Sequence, residues 1–423
     1  MKIFLCVMLV FALVLTSVGC GTQQVPNENL SSEVTSVLNS QSSTVSEVEK
    51  EIPKRSVILN GEDPELYDLS IANEGNNARI ANLMRKAEKG GSYVIGAIGG
   101  SITQGAGATA EENRYVNLVY EWWKENFPKA TFKLVNAGIG SSNAEMACYR
   151  METDLLSHNP DFVMVDFTVN IYLNNDQSNT YQTVLYKIMN QKNAPGVMSI
   201  HFTSTKLEEY NKGNYIKGSE YPIKEIKDAI EKYDVPAMDY HKYVWKRIED
   251  GAIKWTNVGA DYIHPGNRGH QIAAAMLCAY LEKVKDNLEK EPTEVPALPK
   301  LDTEKFLNLG YVFNTTEGVE NVGFKKEPNN SLQTRGWSYT SGTGDASLKV
   351  PLPKNKDVVL FMWFGDTEGK ITLKGANGVT KTLDITIKTN HVLMPYGAMG
   401  DSVTIIPELT KGNMKILGIG IAN

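Results

Sequence analysis

Four short apolar runs, each separated from the next by an amphipathic stretch, constrain this chain more than any other feature. The runs are YVIGAIG (93–99), FKLVNAG (132–138), DFVMVDF (161–167) and GVMSIHF (196–202). Helix-like periods occupy Tyr115 to Asn126, Asn143 to Ser157 and Thr180 to Gln191, and His270 to Asn287 closes the series. A strand that is apolar along its whole length has no polar face to offer water, so both of its faces must be covered. Such runs alternating with helices predict an α/β fold, a parallel sheet between two helical layers, over residues 56–290. Ligands of these sheets bind beyond the carboxyl ends of the strands. Ser101, Gly138 to Ser142, and Thr168 to Asn170 each fall just past a run, which places them on one edge of one sheet.

The remainder of the 423 residues reads differently. EPTEVPALPK (291–300) is a Pro-bearing linker. Beyond it VVLFMWFGD, KITLKGANG, TKTLDITIKT, DSVTIIPEL and MKILGIGI are short strands separated by Gly, Asn and Asp turns, so residues 301–423 are expected to form an all-β sandwich. At the other end, Met1-Lys2 precedes an apolar run from Ile3 to Val18 and then Gly19-Cys20, the pattern of an export signal over residues 1–20. Ser17-Val18-Gly19-Cys20 resembles a bacterial lipobox, which implies lipidation of Cys20 and an exported, outward-facing, membrane-anchored protein; plain secretion or an uncleaved anchor is the alternative. Residues 21–55 are rich in Ser, Thr, Gln, Glu and Val and hold no aromatic residue, so they are expected to be a disordered tether. The formal net charge of −6 argues against a general nucleic-acid binder. Cys6 and Cys20 belong to the signal. Cys148 and Cys278 make neither a disulfide framework nor a metal site and read as buried small residues, with a single bridge left open.

The glycines after the first run invite three readings. A phosphate loop needs G-x-x-x-x-G-K-[ST], and no Lys follows the glycines here. A dinucleotide fingerprint needs G-x-G-x-x-G and an acidic residue ending the second strand, and both are missing. A nucleophile elbow needs G-x-S-x-G, and Thr103 stands where the last Gly should be. A fourth reading comes from DYIHPGNRGH, where Asp261 and His264 lie three positions apart. A serine hydroxyl is a weak nucleophile until a base takes its proton, and a carboxylate that holds the imidazole in one tautomer makes the His such a base. NAGIGSSN offers backbone N–H groups in a tight turn, and FTVN offers the Asn170 carboxamide; both suit a developing oxyanion.

GGSIT, NAGIGSS, FTVN and DYIHP, in that order, resemble the four blocks of the SGNH hydrolases, the GDSL-like lipase/acylhydrolase superfamily. The resemblance covers roughly residues 90 to 285 and implies a flavodoxin-like three-layer domain. Carried over position by position, it makes Ser101 the nucleophile, His264 the base and Asp261 its orienting acid. The oxyanion donors it implies are the Ser101 N–H, the Asn170 side chain and the N–H at Ser141, with Gly140 as the alternative for the last. Two blocks depart from the family pattern. Gly100 replaces the usual Asp, as in carbohydrate-esterase-like members, and Val169 and Ile171 flank Asn170 where G-x-N-D is usual.

The resemblance, with the export signal and the second domain, implies an extracytoplasmic serine esterase that removes O-acetyl groups from a glycan. It implies neither a cofactor nor a metal, and contact with the membrane only through the N-terminal lipid. A lipase, thioesterase or acyltransferase with the same triad, or a glycan-binding lipoprotein without catalysis, are the alternatives. His158, His201, His241, His270 and His391 lack a carboxylate three positions earlier. Of these, His270 is expected to be structural, and His201 ends the fourth strand, with pocket lining as its less favoured use. Asp166 reads as structural and Arg114 as the partner of Glu111 or Glu112. One of Trp122 and Trp123 is expected to face the core. Trp337 and Trp363 are expected in the sandwich core, with stacking on sugar rings as their alternative use.

Overall fold

The structure is a computed structural model that describes residues 65–173, 176–206, 211–213, 223–328, 335–353, 356–387 and 390–422. The export signal, Cys20 and the tether up to residue 55 lie outside the described residues.

The α/β region begins with α1 (Leu66–Ser70), β1 (Ile71–Asn73), α2 (Ala78–Ala87) and β2 (Gly91–Gly99). It continues through α3 (Ser101–Gln104), α4 (Tyr115–Asn126), β3 (Ala130–Gly138), α5 (Ala144–Asp154) and β4 (Phe162–Asp166). A 3₁₀ turn at Thr168–Leu173 leads to α6 (Gln177–Met189) and β5 (Gly196–Ile200), then α7 (Ile223–Tyr233), β6 (Ala237–Met238), α8 (Tyr240–Glu249), α9 (Trp255–Val258) and α10 (Asn267–Asp286). All four apolar runs are strands. Their order across the sheet is β1-β6-β5-β4-β2-β3, and every pairing is parallel except β1 with β6. The antiparallel edge was not expected. β1 and β6 are three and two residues long, too short to show a period in the sequence.

The parallel part has the doubly wound order in which β3 and β4 flank β2, so the chain reverses direction of winding at β2. Register aligns the ends of these three strands: Gly99 sits beside Gly138 on one side and beside Asp166 on the other. The segments that follow them therefore emerge together. One core, holding Ile95, Trp123, Phe162, Met198 and Leu277, lies between the sheet and α2, α4, α8 and α10. The other, holding Ile98, Leu155, Val165, Leu185 and Ile230, lies between the sheet and α5, α6 and α7. Trp122 and Trp123 are both buried, edge to face at 5.4 Å. Cys148 and Cys278 are both buried, and neither is in a disulfide.

Residues 291–309 form no helix or strand, and Leu298, Leu301 and Phe306 pack into the second α/β core. Eleven strands follow: β7 (Gly310–Val312), β8 (Glu320–Val322), β9 (Lys325–Lys326), β10 (Trp337–Thr340), β11 (Ser347–Pro351), β12 (Asp357–Phe364), β13 (Thr367–Gly375), β14 (Thr380–Ile387), β15 (Asn390–Ala398), β16 (Ser402–Lys411) and β17 (Asn413–Ala422). They form two antiparallel sheets, β15-β12-β17-β10-β9 with β7 beside β17, and β14-β13-β16-β11-β8. Leu348, Leu360, Ile371, Ile405 and Ile416 fill the space between them. Trp337 is in this core, 1% exposed. Trp363 is not: it is half-buried on the opposite face of β12, beside the contact between the two domains, with the Lys415 ammonium 5.7 Å from its ring.

That contact is an apolar patch. Met146 and Tyr149 of α5 pack against Val359, Phe361 and Leu417 of the sandwich. Phe361 meets Tyr149 and Tyr311 edge on, at 5.4 and 5.2 Å, a geometry that adds about 0.5–1.5 kcal/mol per pair beyond burial.

Candidate active site

β2 ends at Gly99, and α3 begins at once with Ser101. Ser101 is the first residue of that single turn, so its own N–H has no acceptor within the helix. The turn closes when Gly105 and Ala106 donate to the Ser101 carbonyl at 3.0 and 2.9 Å. Gly107, at φ +89°, lies so close to the Pro265 carbonyl that a Cβ there would sit 2.1 Å from the oxygen. The loop carrying Ser101 and the loop carrying His264 are thereby packed backbone to backbone.

DYIHP forms a side-chain-closed turn. The Ile263 and His264 N–H groups both donate to Asp261 Oδ1 at 2.7 Å, and His264 Nδ1 donates to Oδ2, also at 2.7 Å. One carboxylate therefore shapes the turn with one oxygen and orients the imidazole with the other. With its proton on Nδ1, the ring presents a bare Nε2, which lies 2.9 Å from Ser101 Oγ. Burial pushes the Asp261 carboxyl up, but the His264 ring and the two backbone donors outweigh it and hold the group below the ordinary carboxylate value. Asp261 thus stays charged and able to stabilise an imidazolium. Ser101, predicted from one block of the sequence, and Asp261 and His264, predicted from another, form one hydrogen-bonded chain.

The two other strand ends converge on it. After β3, the Ser142 N–H donates to the Ile139 carbonyl at 3.0 Å, a four-residue turn whose third residue, Ser141, adopts φ +57°. That position favours Gly, because a side chain in the left-handed region costs about 1–2 kcal/mol. Among the described residues the Ser141 N–H meets no acceptor, whereas the Gly140 N–H donates to Gln104 Oε1 at 2.7 Å. The Gly140 N–H is thus already engaged, which leaves the Ser141 N–H as the candidate donor of this turn. After β4, Asn170 stands in the 3₁₀ turn, 7% exposed. Its Oδ1 lies against Gly100, where a Cβ would come within 2.2 Å of it, and among the described residues no group donates to it. Packing against Gly100 sets the position of this carboxamide. The Gly-Gly-Ser sequence is explained locally, since a side chain at 100 would push Asn170 aside.

Three supporting residues escaped the sequence reading. Gln104 joins α3 to the 139–142 turn as described, and Asn136 Nδ2 donates to the Thr103 carbonyl at 2.8 Å. Arg150, 1% exposed, donates to the Gly99 and Ala137 carbonyls and to Ser142 Oγ. Only Arg150 left a trace in the sequence, as an i,i+4 pair with Asp154 on one helix.

The remaining candidates stand outside the relay. Asp166 is fully buried, accepts from the Thr168 N–H at 3.0 Å, and is pushed up to about 7 by burial. His270 bridges the Tyr115 N–H at 3.3 Å and the Ala106 carbonyl at 3.1 Å, and burial lowers it to about 4. His201 is buried and lowered to about 4 for the same reason, with no hydrogen bond to either ring nitrogen. Arg114 pairs with Glu111 at 3.0 Å. Among the described residues, no cluster of three or more His, Cys, Asp or Glu is arranged to hold a metal ion.

Residues 97–272 match the GDSL-like Lipase/Acylhydrolase family. A search among curated proteins finds no match. Among solved structures, the chain is similar to a two-domain esterase (CEX) active on acetylated mannans, co-crystallised with mannopentaose. The TM-score is 0.68 at 24% identity, over 84% of this chain and 98% of that one. A second structure of a two-domain esterase (CEX) active on acetylated mannans gives 0.67 at 23% identity with the same coverage. These likenesses extend through both domains and concern the fold. The family match lies on the α/β region, and residues 97–272 are a GDSL-like lipase/acylhydrolase (SGNH) domain, which makes the protein a serine ester hydrolase.

Proposed function

We propose that the protein is an exported acetylesterase that removes O-acetyl groups from a glycan. The observation that carries the reading is the unbroken chain from Ser101 Oγ to His264 Nε2 at 2.9 Å and from His264 Nδ1 to Asp261 Oδ2 at 2.7 Å. Ser101 Oγ attacks the ester carbonyl as its proton passes to His264 Nε2. The oxyanion is received by the N–H groups of Ser101 and Ser141 and the carboxamide of Asn170. His264 then gives its proton to the departing sugar hydroxyl. In the second half, His264 takes a proton from water, the hydroxide attacks the acyl carbon, and the carboxylic acid leaves with Ser101 restored.

The acetylated glycan as substrate is supported by the likeness to an esterase active on acetylated mannans and by the presence of the same two-domain arrangement here. Export and lipid anchoring at Cys20 are supported by the signal-like run and the small residues before Cys20. The test is acetate release from acetylated mannan beside p-nitrophenyl acetate hydrolysis. Turnover of both, lost in Ser101→Ala and His264→Ala, is the expected result. Turnover of long-chain esters only would replace the glycan with a lipid substrate. For the anchor, the mass of the N-terminal peptide of the membrane-bound protein is expected to show a lipid-modified Cys20 as its first residue, and an unmodified Cys20 would remove the anchor.

A further inference from the structure

A buried chain of charges joins the sandwich to the two turns that carry Ser101 and Ser141. It starts at Arg150 on α5. Its Nη1 donates to the Ala137 carbonyl at 2.7 Å, and its Nη2 to the Gly99 carbonyl at 3.2 Å. Ser142 Oγ accepts from its Nε at 3.3 Å and from Nη2 at 3.1 Å. One guanidinium thus holds the end of β2, the end of β3 and the 139–142 turn at once. Asp154, one helical turn on, accepts from Arg150 Nη1 at 3.1 Å. Both Asp154 oxygens then accept from Arg335, which comes from the second domain; the Nη2–Oδ2 distance is 3.1 Å. Arg335 also donates to Tyr311 Oη at 3.2 Å, with its guanidinium 5.1 Å from the Tyr311 ring. The side chains of Arg150, Asp154 and Arg335 are 1%, 1% and 7% exposed.

Among the described residues every guanidinium nitrogen of Arg150 and Arg335 except Arg335 Nε has a hydrogen-bond partner, and charges this deeply buried depend on such contacts, so the chain has little freedom to relax. Its orientation is set at the domain contact. Arg335 fixes both oxygens of Asp154, and Asp154 with Ala137 fixes the plane of Arg150. Without Arg335, Asp154 keeps Arg150 on Oδ2 and the Thr153 hydroxyl, 3.0 Å away, on Oδ1, but loses the two-pronged contact that sets its plane, so Arg150 shifts off the Gly99 carbonyl and Ser142.

We infer that Arg335 is a positioning residue for the reaction at Ser101: the sandwich, through Arg335, Asp154 and Arg150, holds the Ser101 and Ser141 turns at their working separation. The C-terminal domain is then part of the esterase scaffold and not an independent appendage. This rests on the reading of Ser101 as nucleophile and of the Ser141 N–H as oxyanion donor.

The test uses the full-length protein and p-nitrophenyl acetate, which has no glycan for a second domain to bind. Arg335→Met leaves Asp154 paired one to one with Arg150, so it creates no unpaired buried charge. Its kcat is expected to fall about ten- to a hundredfold, the effect of a small misplacement transmitted from a distance. KM should stay within about twofold, because ground-state binding is not what is lost. Arg335→Lys keeps the charge without the two-pronged contact and should lie between, at least about threefold down in kcat. Phe361→Leu loosens the same domain contact without touching the charges; it should lower the melting temperature and leave kcat unchanged.

A folded Arg335→Met protein with kcat at the wild-type level overturns the inference, and so does an equal kcat loss in Phe361→Leu. Should Arg335→Met fail to fold, Arg335→Lys decides, and wild-type kcat there overturns it. An unaltered protein that hydrolyses no ester defeats the esterase reading itself, and this inference with it.

Discussion

Two three-residue chains of charge and hydrogen bonding meet at the carboxyl end of β2, and they are built in opposite ways. Asp261, His264 and Ser101 are joined at a rim. The Asp261 and His264 side chains remain 41% and 25% exposed, and the acid and base come from one five-residue turn. Arg150, Asp154 and Arg335 are sealed inside the molecule, and the last two are 181 positions apart in sequence. On the proposed esterase reading the first chain moves a proton and admits an ester and water, so it needs an open side and a partner whose charge changes. The second has nothing to exchange, so it can be permanently charged and dry. Reactivity and rigidity are thereby divided between two networks that share a border at Gly99 and Ser142.

That division implies distinct responses to substitution. The largest is expected for Asp261→Asn. Asn keeps an oxygen for the Ile263 and His264 N–H groups but turns an N–H toward His264 Nδ1. The ring then carries its proton on Nε2 and cannot accept one from Ser101. kcat on p-nitrophenyl acetate should fall about a thousand- to ten-thousandfold, with the melting temperature hardly altered. Asp154→Ala is the converse. It strands two buried guanidinium groups, and urea unfolding should show a loss of about 3–5 kcal/mol. If Asp261→Asn were the unstable variant and Asp154→Ala the stable one, the comparison would be inverted.

Gly100→Ala probes the border between the networks. The new methyl group meets Asn170 Oδ1, so the carboxamide must leave its place while the cores are untouched. A kcat loss of about a hundredfold with little change in stability is expected, the typical result of losing one oxyanion donor. The smallest effect is expected for Ser141→Gly. Only the N–H at 141 is needed, so activity should remain within about twofold. Relief of the left-handed strain, set against the greater freedom of Gly in the unfolded chain, should leave a stability gain of less than about 1 kcal/mol by thermal unfolding.

The rim network was legible in the sequence and the sealed one was not. Asp261 and His264 are three positions apart, and the turn that brings them together is closed by Asp261 itself, so local spacing carried the information. Ser101, the 138–142 turn and Asn170 could be placed on one edge because each follows a strand whose apolar run is visible and whose end the parallel register aligns; Ser141 within that turn was singled out only by the family resemblance. Arg335 follows no such rule. Nothing near it in sequence distinguishes it from an exposed Arg, and its partner lies in another domain. Gln104 was missed for a related reason, since its role arises from the packing of α3 on the end of β3. In the sheets, the long apolar strands β2 to β5 were found, and so were β12, β13, β14, β16 and β17. The shorter β1, β6, β7, β8 and β9 are five, or fewer, residues each and show no period; β10, β11 and β15 carry the Ser, Lys, Pro and Gly that strands otherwise avoid.

The most direct measurement is the mass of the protein quenched in acid during turnover of p-nitrophenyl acetate, followed by peptide mapping. One acetyl group on the peptide containing Ser101, absent in Ser101→Ala and in His264→Ala, is the expected result. Acetyl transfer to another residue, or full turnover by the Ser101→Ala protein, would contradict the assignment of Ser101 as the nucleophile.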